Sequence, residues 1–445
     1  MRIHIKKLRQ LGCAGALLAA TVVVTPALAG GFGVREQSTE FQGMSFAGNG
    51  TTGGSLSGMF WTPAVAAFAP VGYYSESHYA AILGNVEITA GPGSTLLAFG
   101  AESGNIAKDA IVPASYMSYR VNERLVFAMS VNSPFGLVTE PSNRAWAGQT
   151  FARTSEIKTY NFSPTLAYRV TPTLAIGVGL QIEHIEGRLK SASGVLPTSL
   201  NLLVQGDDTA FGFTAGVNWT PVPGTHIGFG YRSSIDHTLE GTIRIPDSPV
   251  SFANIGSAIK AGVTLPEIAT FSVRHDVNPR WTVLGSVEWA HWDRAQKLDI
   301  VCANNGAGNP VFCPGGNGQL VRSLALGWHD SWFFALGAEH VYSERLKLRA
   351  GIAYELSPIQ AADERTLRVP DVDRLWTSIG ATYKWNEAMT FDFAYTHIFG
   401  IGDDQIDRTE SGIRFVGTVD SQVDIVSVAL RMKLGGGTEV HEPVK

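Results

Sequence analysis

Short polar turns alternate with longer connections along this chain, and few folds accommodate that rhythm. Tight turns fall at Asn122–Glu123, Thr171–Pro172, Thr220–Gly224, Val277–Pro279, Ser343–Glu344 and Trp385–Glu387. Between them run stretches rich in Gly, Ser and Pro, such as Gly241–Thr264 and Ala295–His329. Neighbouring connections bracket runs in which apolar residues alternate with small or polar ones. A soluble sandwich gives no reason for every second connection to be short. A transmembrane barrel does, because its turns are tight on one side of the membrane and its loops long on the other. Six tight turns and seven longer connections predict an all-β, fourteen-stranded antiparallel transmembrane β-barrel with both ends on the same side.

The first residues agree with such a destination. Arg2, Lys6, Lys7 and Arg9 precede the apolar run Leu11–Val24, and Ala27-Leu28-Ala29 supplies a small-residue cleavage pattern. Residues 1–29 therefore read as a cleaved secretory signal peptide, the apolar run being too short for a comfortable membrane span. Cys13 lies inside the run rather than at the cleavage site, which disfavours a lipoprotein. Beyond the signal no stretch reaches the length of a spanning helix, although 44% of the residues are hydrophobic and 49 are glycine. A closed barrel enters a bilayer without helices because every backbone polar group finds a partner strand. No low-complexity linker divides the 445 residues, which favours a single barrel over residues 69–434 with a polar C-terminal tail at 435–445. A net charge of −5 and the lack of a basic stripe argue against nucleic acid as a partner. Cys302 and Cys313 share one Asn/Gly-rich connection, where an oxidising compartment favours a disulfide. Too few ligands surround them for a metal site, and no cofactor is expected.

Strand faces are clearest at Thr173–Ile185. Leu174, Ile176, Val178, Leu180 and Ile182 fall on one face, and Ala175, Gly177, Gly179, Gln181 and Glu183 on the other. Leu346–Glu355 and Met389–Thr396 alternate likewise, placing Arg349 and Asp392 on the inward face. A dry core charges heavily for such groups, so a charged, partly wet lumen is the expectation. Tyr73, Tyr74, Trp219, Trp281, Trp289, Trp332 and Trp385 sit near strand ends, as interfacial girdles do.

Two parts do not fit a plain barrel. Residues 30–68 lack sustained alternation yet carry Phe41, Phe46, Phe60 and Trp61, which suits an N-terminal hatch, a plug folded inside the lumen. Asn132-Ser133-Pro134-Phe135-Gly136 interrupts the third strand, where proline lacks a ladder donor and glycine marks a bulge.

The chain resembles the FadL / OMPP1 / TodX family of outer-membrane transporters for long-chain fatty acids and aromatic hydrocarbons. The resemblance rests on Ala335-Leu336-Gly337, Gly351-Ile352-Ala353, Ser357-Pro358, Thr382-Tyr383 and above all Pro370-Asp371-Val372-Asp373-Arg374-Leu375-Trp376. Leu265-Pro266-Glu267 and Tyr231-Arg232-Ser233 are similar too. It implies diffusion-driven uptake at the outer membrane of a Gram-negative bacterium, a hatch at the lumen, and lateral release through the kink at Asn132, Ser133, Pro134, Phe135 and Gly136. The family's hatch carries Asn-Pro-Ala where this chain has Thr62, Pro63 and Ala64. Capture would use the loops Ser191–Asp208 and Gly241–Thr264, with Leu196, Leu200, Leu202, Leu203, Val204, Ile255, Ala258 and Ile259 as groove residues. Fatty-acid-binding members place basic residues near Lys190 and His329, so Arg188, Lys190 and His329 are candidates for a carboxylate. An ion pair of those bases with Glu183 or Glu186, and an uncharged cargo, remain open alternatives. The partners expected are a hydrophobic small molecule and outer-membrane lipid, with the protein acting as a monomer.

A general hydrophilic porin is the nearest rival, and it predicts an open pore. A lipid hydrolase is more remote, because His78, His184, His291 and His397 are scattered and no Gly-x-Ser-x-Gly occurs. Gly48–Gly53 spells a dinucleotide fingerprint but has no strand before it, so it is read as a chance match.

Overall fold

The computed structural model describes residues 30–303 and 309–434; the signal peptide and the polar tail expected from the sequence lie outside the described residues. Fourteen antiparallel strands close on themselves, the last pairing the first from Tyr73↔Leu434 to Ala90↔Gly417. They are β1 (Tyr73–Ala90), β2 (Ala110–Arg120), β3 (Leu125–Asn132 and Gly136–Thr139), β4 (Thr154–Thr171), β5 (Leu174–Ala192) and β6 (Asn201–Val222). Next come β7 (Thr225–Arg232 and Ile235–Arg244), β8 (Ser257–Leu265 and Ile268–Asn278), β9 (Trp281–Ala290 and Lys297–Cys302) and β10 (Leu320–Ala325 and Ser331–Val341). β11 (Leu346–Leu356), β12 (Asp373–Lys384), β13 (Met389–Ile401 and Gln405–Glu410) and β14 (Ile413–Leu434) complete the barrel.

The tight turns are held by short polar side chains. Asn122, Asn278 and Asn386 each accept two backbone N–H groups through Oδ1, which ties the turn without a longer loop. On the other side, several stretches expected as long loops prove to be partly strand. Gly241–Thr264 contains the pairing Ile243↔Ser257, and Ala295–His329 contains Lys297↔Ala325. The connection between β13 and β14 shrinks to Ser411–Gly412, both at positive φ as a two-residue hairpin requires. The ladder simply continues past the membrane, where alternation with polar outward residues hides it from a hydrophobicity reading. Cys302 and Cys313 are joined by a disulfide in the β9–β10 connection.

Outward residues mark the lipid band. Val426 and Val428 of β14 are about half exposed, and above them the same face carries Asp424, Gln422 and Asp420. On β9, Trp281 and Trp289 face outward eight residues apart, roughly 26 Å along the strand at about 3.3 Å per residue. Trp219, Trp385 and Tyr73 are exposed at the turn end and Trp332 at the loop end, in keeping with girdles. Tyr74 is the exception: it points inward and donates to Glu76 Oε1.

Residues 30–69 are almost wholly buried, and their contacts reach around the barrel. Gln42 bonds the Ile425 carbonyl of β14, Ser45 meets Ser378 of β12, Gly48 N donates to Ser286 of β9 and Thr52 N to Asn218 of β6. The segment holds one turn of α-helix, α1 (Thr39–Gln42), capped by Ser38 Oγ, and two 3₁₀ helices at Leu56–Phe60 and Pro63–Phe68. It lies so close to the wall that side chains are excluded beneath it. A Cβ on Gly230 would stand 1.8 Å from the Trp61 carbonyl oxygen, and one on Gly351 2.2 Å from Met44. These inward glycines form the bed of the segment rather than the lining of a channel.

The expectation of a wet lumen fails at this depth. Arg349 and Asp392 are buried, and Arg349 meets Glu339 at 2.8 Å and Glu40 of the N-terminal segment at 3.3 Å. Arg431 bridges Glu40 and Asp392 at 2.5 Å each. The charges are stabilised by one another across the strands and by Glu40 of the segment. Replacing Gly230 with valine should therefore lift the segment off the wall, costing about 1–3 kcal/mol by overpacking. Single-channel recording should show raised leak while the barrel keeps its heat-modifiable gel mobility; a closed channel of unchanged stability would contradict this packing.

Candidate functional site: a gap in the wall

The ladder that closes the barrel is interrupted between β2 and β3, as it also is between β6 and β7 at residues 208–213 and 233–239. β2 pairs with β1 along Ala110–Tyr119, but with β3 only from Ser115↔Val131 to Arg120↔Val126. Past Val131 the third strand leaves β2 and resumes on β4 at Gly136↔Lys158. Three residues, Ser133–Phe135, stand where β4 offers two, so the strand bulges. Thr159 repairs the bulge: its Oγ1 accepts from Phe135 N at 3.0 Å and donates to Phe135 O at 2.7 Å. Among the described residues, no strand pairs with the β3-facing edge of Ala110–Ala114. Pro113 sits in that stretch and has no N–H to leave unsatisfied. Above the gap the wall closes again through Glu140 N to Ile106 O at 2.7 Å and the bridge Ala107↔Thr139. Ala110 and Ala114 stand opposite Ile82 and His78 of β1, which pair with Ile425 and Ala429 of β14. The gap thus lies in the loop-side half of the lipid band.

Behind the gap, the start of the N-terminal segment takes the place of a strand. Val34 N donates to Pro134 O, Gly136 N donates to Phe32 O (each 2.8 Å), and Gly33 bridges Phe135. Gln37 Nε2 donates to Ser133 O at 2.7 Å. Phe32 packs against Trp292 (4.8 Å), Trp328 (5.6 Å) and Phe135 (6.1 Å), ring centre to ring centre. A buried ionic latch holds this stretch. Arg35 meets Glu288 at 2.5 Å and Glu355 at 3.1 Å and lies over the Phe333 ring. Asp371 accepts from Gly31 N at 2.9 Å and pairs with Arg374, while Trp376 Nε1 donates to Glu355. The run Pro370–Trp376 is therefore the anchor of the segment that backs the gap.

Above Phe32 lies an apolar cavity of about 90 Å³, lined by inward residues of β4 to β9 that include Ile157, Ile185, Leu189, Leu239, Ile259 and Ile300. Below it, a void of about 40 Å³ is lined by Val34, Pro134, Phe135 and Trp292. Phe32 and Phe135 separate the two.

The groove residues expected from sequence scatter about this cavity. Val204 and Ile259 line it, Leu203 is buried but does not line it, and Leu202 packs on the Ile243–Ile259–Ile300 cluster. Leu196 and Ile255 are instead 55% and 73% exposed, in the β5–β6 connection and at the end of the short helix α2 (Ser251–Ile255). Arg188 and Lys190 share the outward face of β5 with Ile176 and Val178; Arg188 faces Glu156 at 3.9 Å across the outer wall. His329 lies in a polar external pocket and meets Glu364 at 3.0 Å. The three expected bases do not meet one another, and none reaches the apolar cavity. Thr62, Pro63 and Ala64 pack on Gly177 and Gly216 of the wall. Sequence reasoning missed Arg35 and Thr159, whose importance lies in contacts between distant segments. Pro113 carried a readable signal, a proline in mid-strand.

Removing the latch arginine leaves Glu288 and Glu355 buried and mutually repelling. Arg35→Met should weaken the local structure by about 3–5 kcal/mol, as loss of one partner of a buried ion pair does. Hydrogen exchange at Val34 and Gly136 should then speed up at least a hundredfold, with β5–β6 amides unchanged. Wild-type protection at those two amides would refute the latch.

Comparison with known proteins places this architecture. The family described as outer membrane protein transport protein (OMPP1/FadL/TodX) matches residues 20–434. The chain is 29% identical to outer membrane protein P1 of Haemophilus influenzae over 442 residues, covering 89% of this chain and 91% of that one. It is 25% identical to a long-chain fatty acid transport protein of Escherichia coli, with 86% and 90% covered. Among solved structures, a Pseudomonas aeruginosa FadL homologue superposes with a TM-score of 0.79 at 21% identity, over 90% of this chain and 99% of that one. The Ralstonia pickettii toluene transporter TbuX superposes with a TM-score of 0.65 at 15% identity, over 90% and 100%. The chain belongs to the OMPP1/FadL/TodX family of outer-membrane transport proteins.

Proposed function

We propose that this protein takes up hydrophobic small molecules, long-chain fatty acids or aromatic hydrocarbons, by diffusion and releases them sideways into the outer leaflet. The observation that carries the reading is the unpaired edge Ala110–Ala114, opening at lipid depth across from Pro134 and Phe135, which line the void below Phe32. An apolar cargo gains about 0.8 kcal/mol for each methylene moved from water into such a cavity, so no energy source is required. A lateral exit keeps the cargo out of water throughout. A route through the periplasmic end would instead cross the buried ion pairs of Glu40, Arg349 and Arg431.

The cavity of about 90 Å³ is smaller than the 150 Å³ or so that holds a benzene molecule. Taking a whole cargo therefore requires Phe32 to move, and Phe32 is tied to the gap through Gly136 N. Filling the cavity and unblocking the gap are one displacement in this reading, with residues 30–68 acting as the hatch. A general porin is disfavoured by the same packing, since at the depth of Glu40 the interior is filled by buried side chains.

Two experiments test the reading. Cells expressing the protein should take up labelled oleate or toluene faster than cells lacking it; dependence of neither would return the porin to favour. Restoring the missing donors with Pro113→Thr and Pro134→Thr should close the ladder and cut uptake several-fold while membrane insertion persists. Undiminished uptake by that double variant would sink lateral release.

A further inference from the structure

The second interruption of the ladder, between β6 and β7, is sealed in another way. The two strands pair from Thr214↔Arg232 toward the turn and from Asp207↔Glu240 toward the loops. Between these ladders β7 spends seven residues, 233–239, against six of β6, 208–213, so the strands part and bulge. Side chains replace the missing bonds. Ser233 Oγ accepts from Phe213 N, and Ser233 N donates to Phe213 O, both at 2.9 Å. Higher up, the Asp208 carboxylate accepts from Thr238 N at 3.1 Å and meets His237 Nδ1 at 2.9 Å. Thr209 and Phe211 lie between these two stitches, and their N–H groups point toward β7 as that of Phe213 does. Deeper in, His237 Nε2 and Glu183 Oε1 are buried 3.6 Å apart, and neither has a hydrogen-bond partner among the described residues. Buried polar atoms left in this way make the closed seam less stable than a completed ladder.

The wall just above the seam is one backbone thick. Gly187 of β5, Gly206 of β6 and Gly241 of β7 stand side by side in register. All three line the apolar cavity, and all three line a depression of about 610 Å³ on the outer surface. At these positions no side chain separates inside from outside. Ile185 and Leu239, level with the top of the seam, line the same cavity. Outside, Phe211 and Phe213 flank the seam at 66% and 54% exposure, while Glu186, Arg188 and Asp207 rim the depression above. The seam therefore climbs from the lipid band to the charged surface over it, with the apolar cavity behind.

We propose that the β6–β7 seam is a second side passage, latched by Asp208, through which apolar molecules dissolved in the outer leaflet reach the cavity. This rests on the uptake reading above and adds an entrance to it. A molecule already in the leaflet would then reach the cavity without exposing its apolar surface to water again. The two openings are controlled separately. The N-terminal segment backs the β2–β3 gap, whereas among the described residues no hydrogen bond ties the seam to that segment.

The test is uptake of labelled toluene by cells carrying the wild type, Asp208→Ala, or Gly212→Cys combined with Ile235→Cys. A Cβ on Gly212 would stand 2.8 Å from Ile235 Cγ1, so cysteines at the two positions are within bonding reach across the seam. Asp208→Ala should raise uptake several-fold. Oxidising the cysteine pair should lower uptake several-fold and reduction restore it, with wild type treated alike to account for Cys302–Cys313. Equal uptake by the oxidised and reduced pair, with wild-type uptake intact, would overturn the passage and leave the uptake reading standing. An Asp208→Ala variant that inserts normally but takes up no more than wild type would overturn the latch. Hydrogen exchange in the purified wild type needs no variant: Thr209 and Phe211 amides should exchange roughly tenfold or more faster than Val217, which pairs with Phe229. Equal protection would show a closed ladder and overturn the seam. Wild-type cells no faster than cells lacking the protein would sink uptake itself, and the passage with it.

Discussion

A bilayer offers no partner to a backbone amide, so a chain that crosses it as strands must close its ladder. An unpaired amide or carbonyl in hydrocarbon costs several kcal/mol. This chain follows the rule along the closing β1–β14 junction and relaxes it between β2 and β3, where Ala110–Ala114 lack a partner strand. What surrounds that junction answers the deficit. Pro113 and Pro134 remove donors, Thr159 satisfies both polar groups of Phe135, and the N-terminal segment supplies partners to Pro134 O and Gly136 N. The gap is therefore a built feature, and the segment behind it is part of the wall as much as it is a plug.

Buried charge gives that segment its place. Glu40, Glu339, Arg349, Asp392 and Arg431 form one network, and Arg35, Glu288, Glu355, Asp371 and Arg374 another. Each includes a residue from the segment and residues from several strands. Such networks add little stability relative to apolar packing, but each is costly to break from one side. That asymmetry suits a part that stays in register while, in the uptake proposed above, its tip moves. The two clusters also separate tasks: the first holds the body of the segment, the second the stretch next to the gap.

Much of the barrel was legible because period-two alternation depends only on which side of a strand meets lipid. Leu174–Ile182 and the Asn-led turns are cases where local chemistry decides local structure. The external strand extensions were not legible, since past Asp424 the outward face turns polar and the contrast vanishes. Arg349 and Asp392 were read as lining water because a sequence shows a charge but not its partner, and Glu40 lies more than three hundred residues away. Arg188 and Lys190 failed for a simpler reason. The count that sends Ile176 and Val178 to the lipid sends them outward too. Asn132–Gly136 was visible as a break from its proline and glycine alone, whereas its meaning required knowing that Phe32 and Gly33 stand behind it.

Lateral release is tested most directly by photolabelling during transport. A long-chain acid carrying a diazirine at its tail would be taken up by membranes containing the protein, irradiated, and its adducts mapped by peptide mass. The account predicts adducts on Ala110–Ala114 and Asn132–Phe135, at the two lips of the gap, alongside adducts in the cavity. Adducts on the inward residues of the turn end, such as Tyr74 and Arg169, with none at the lips would show passage through the lumen and contradict it.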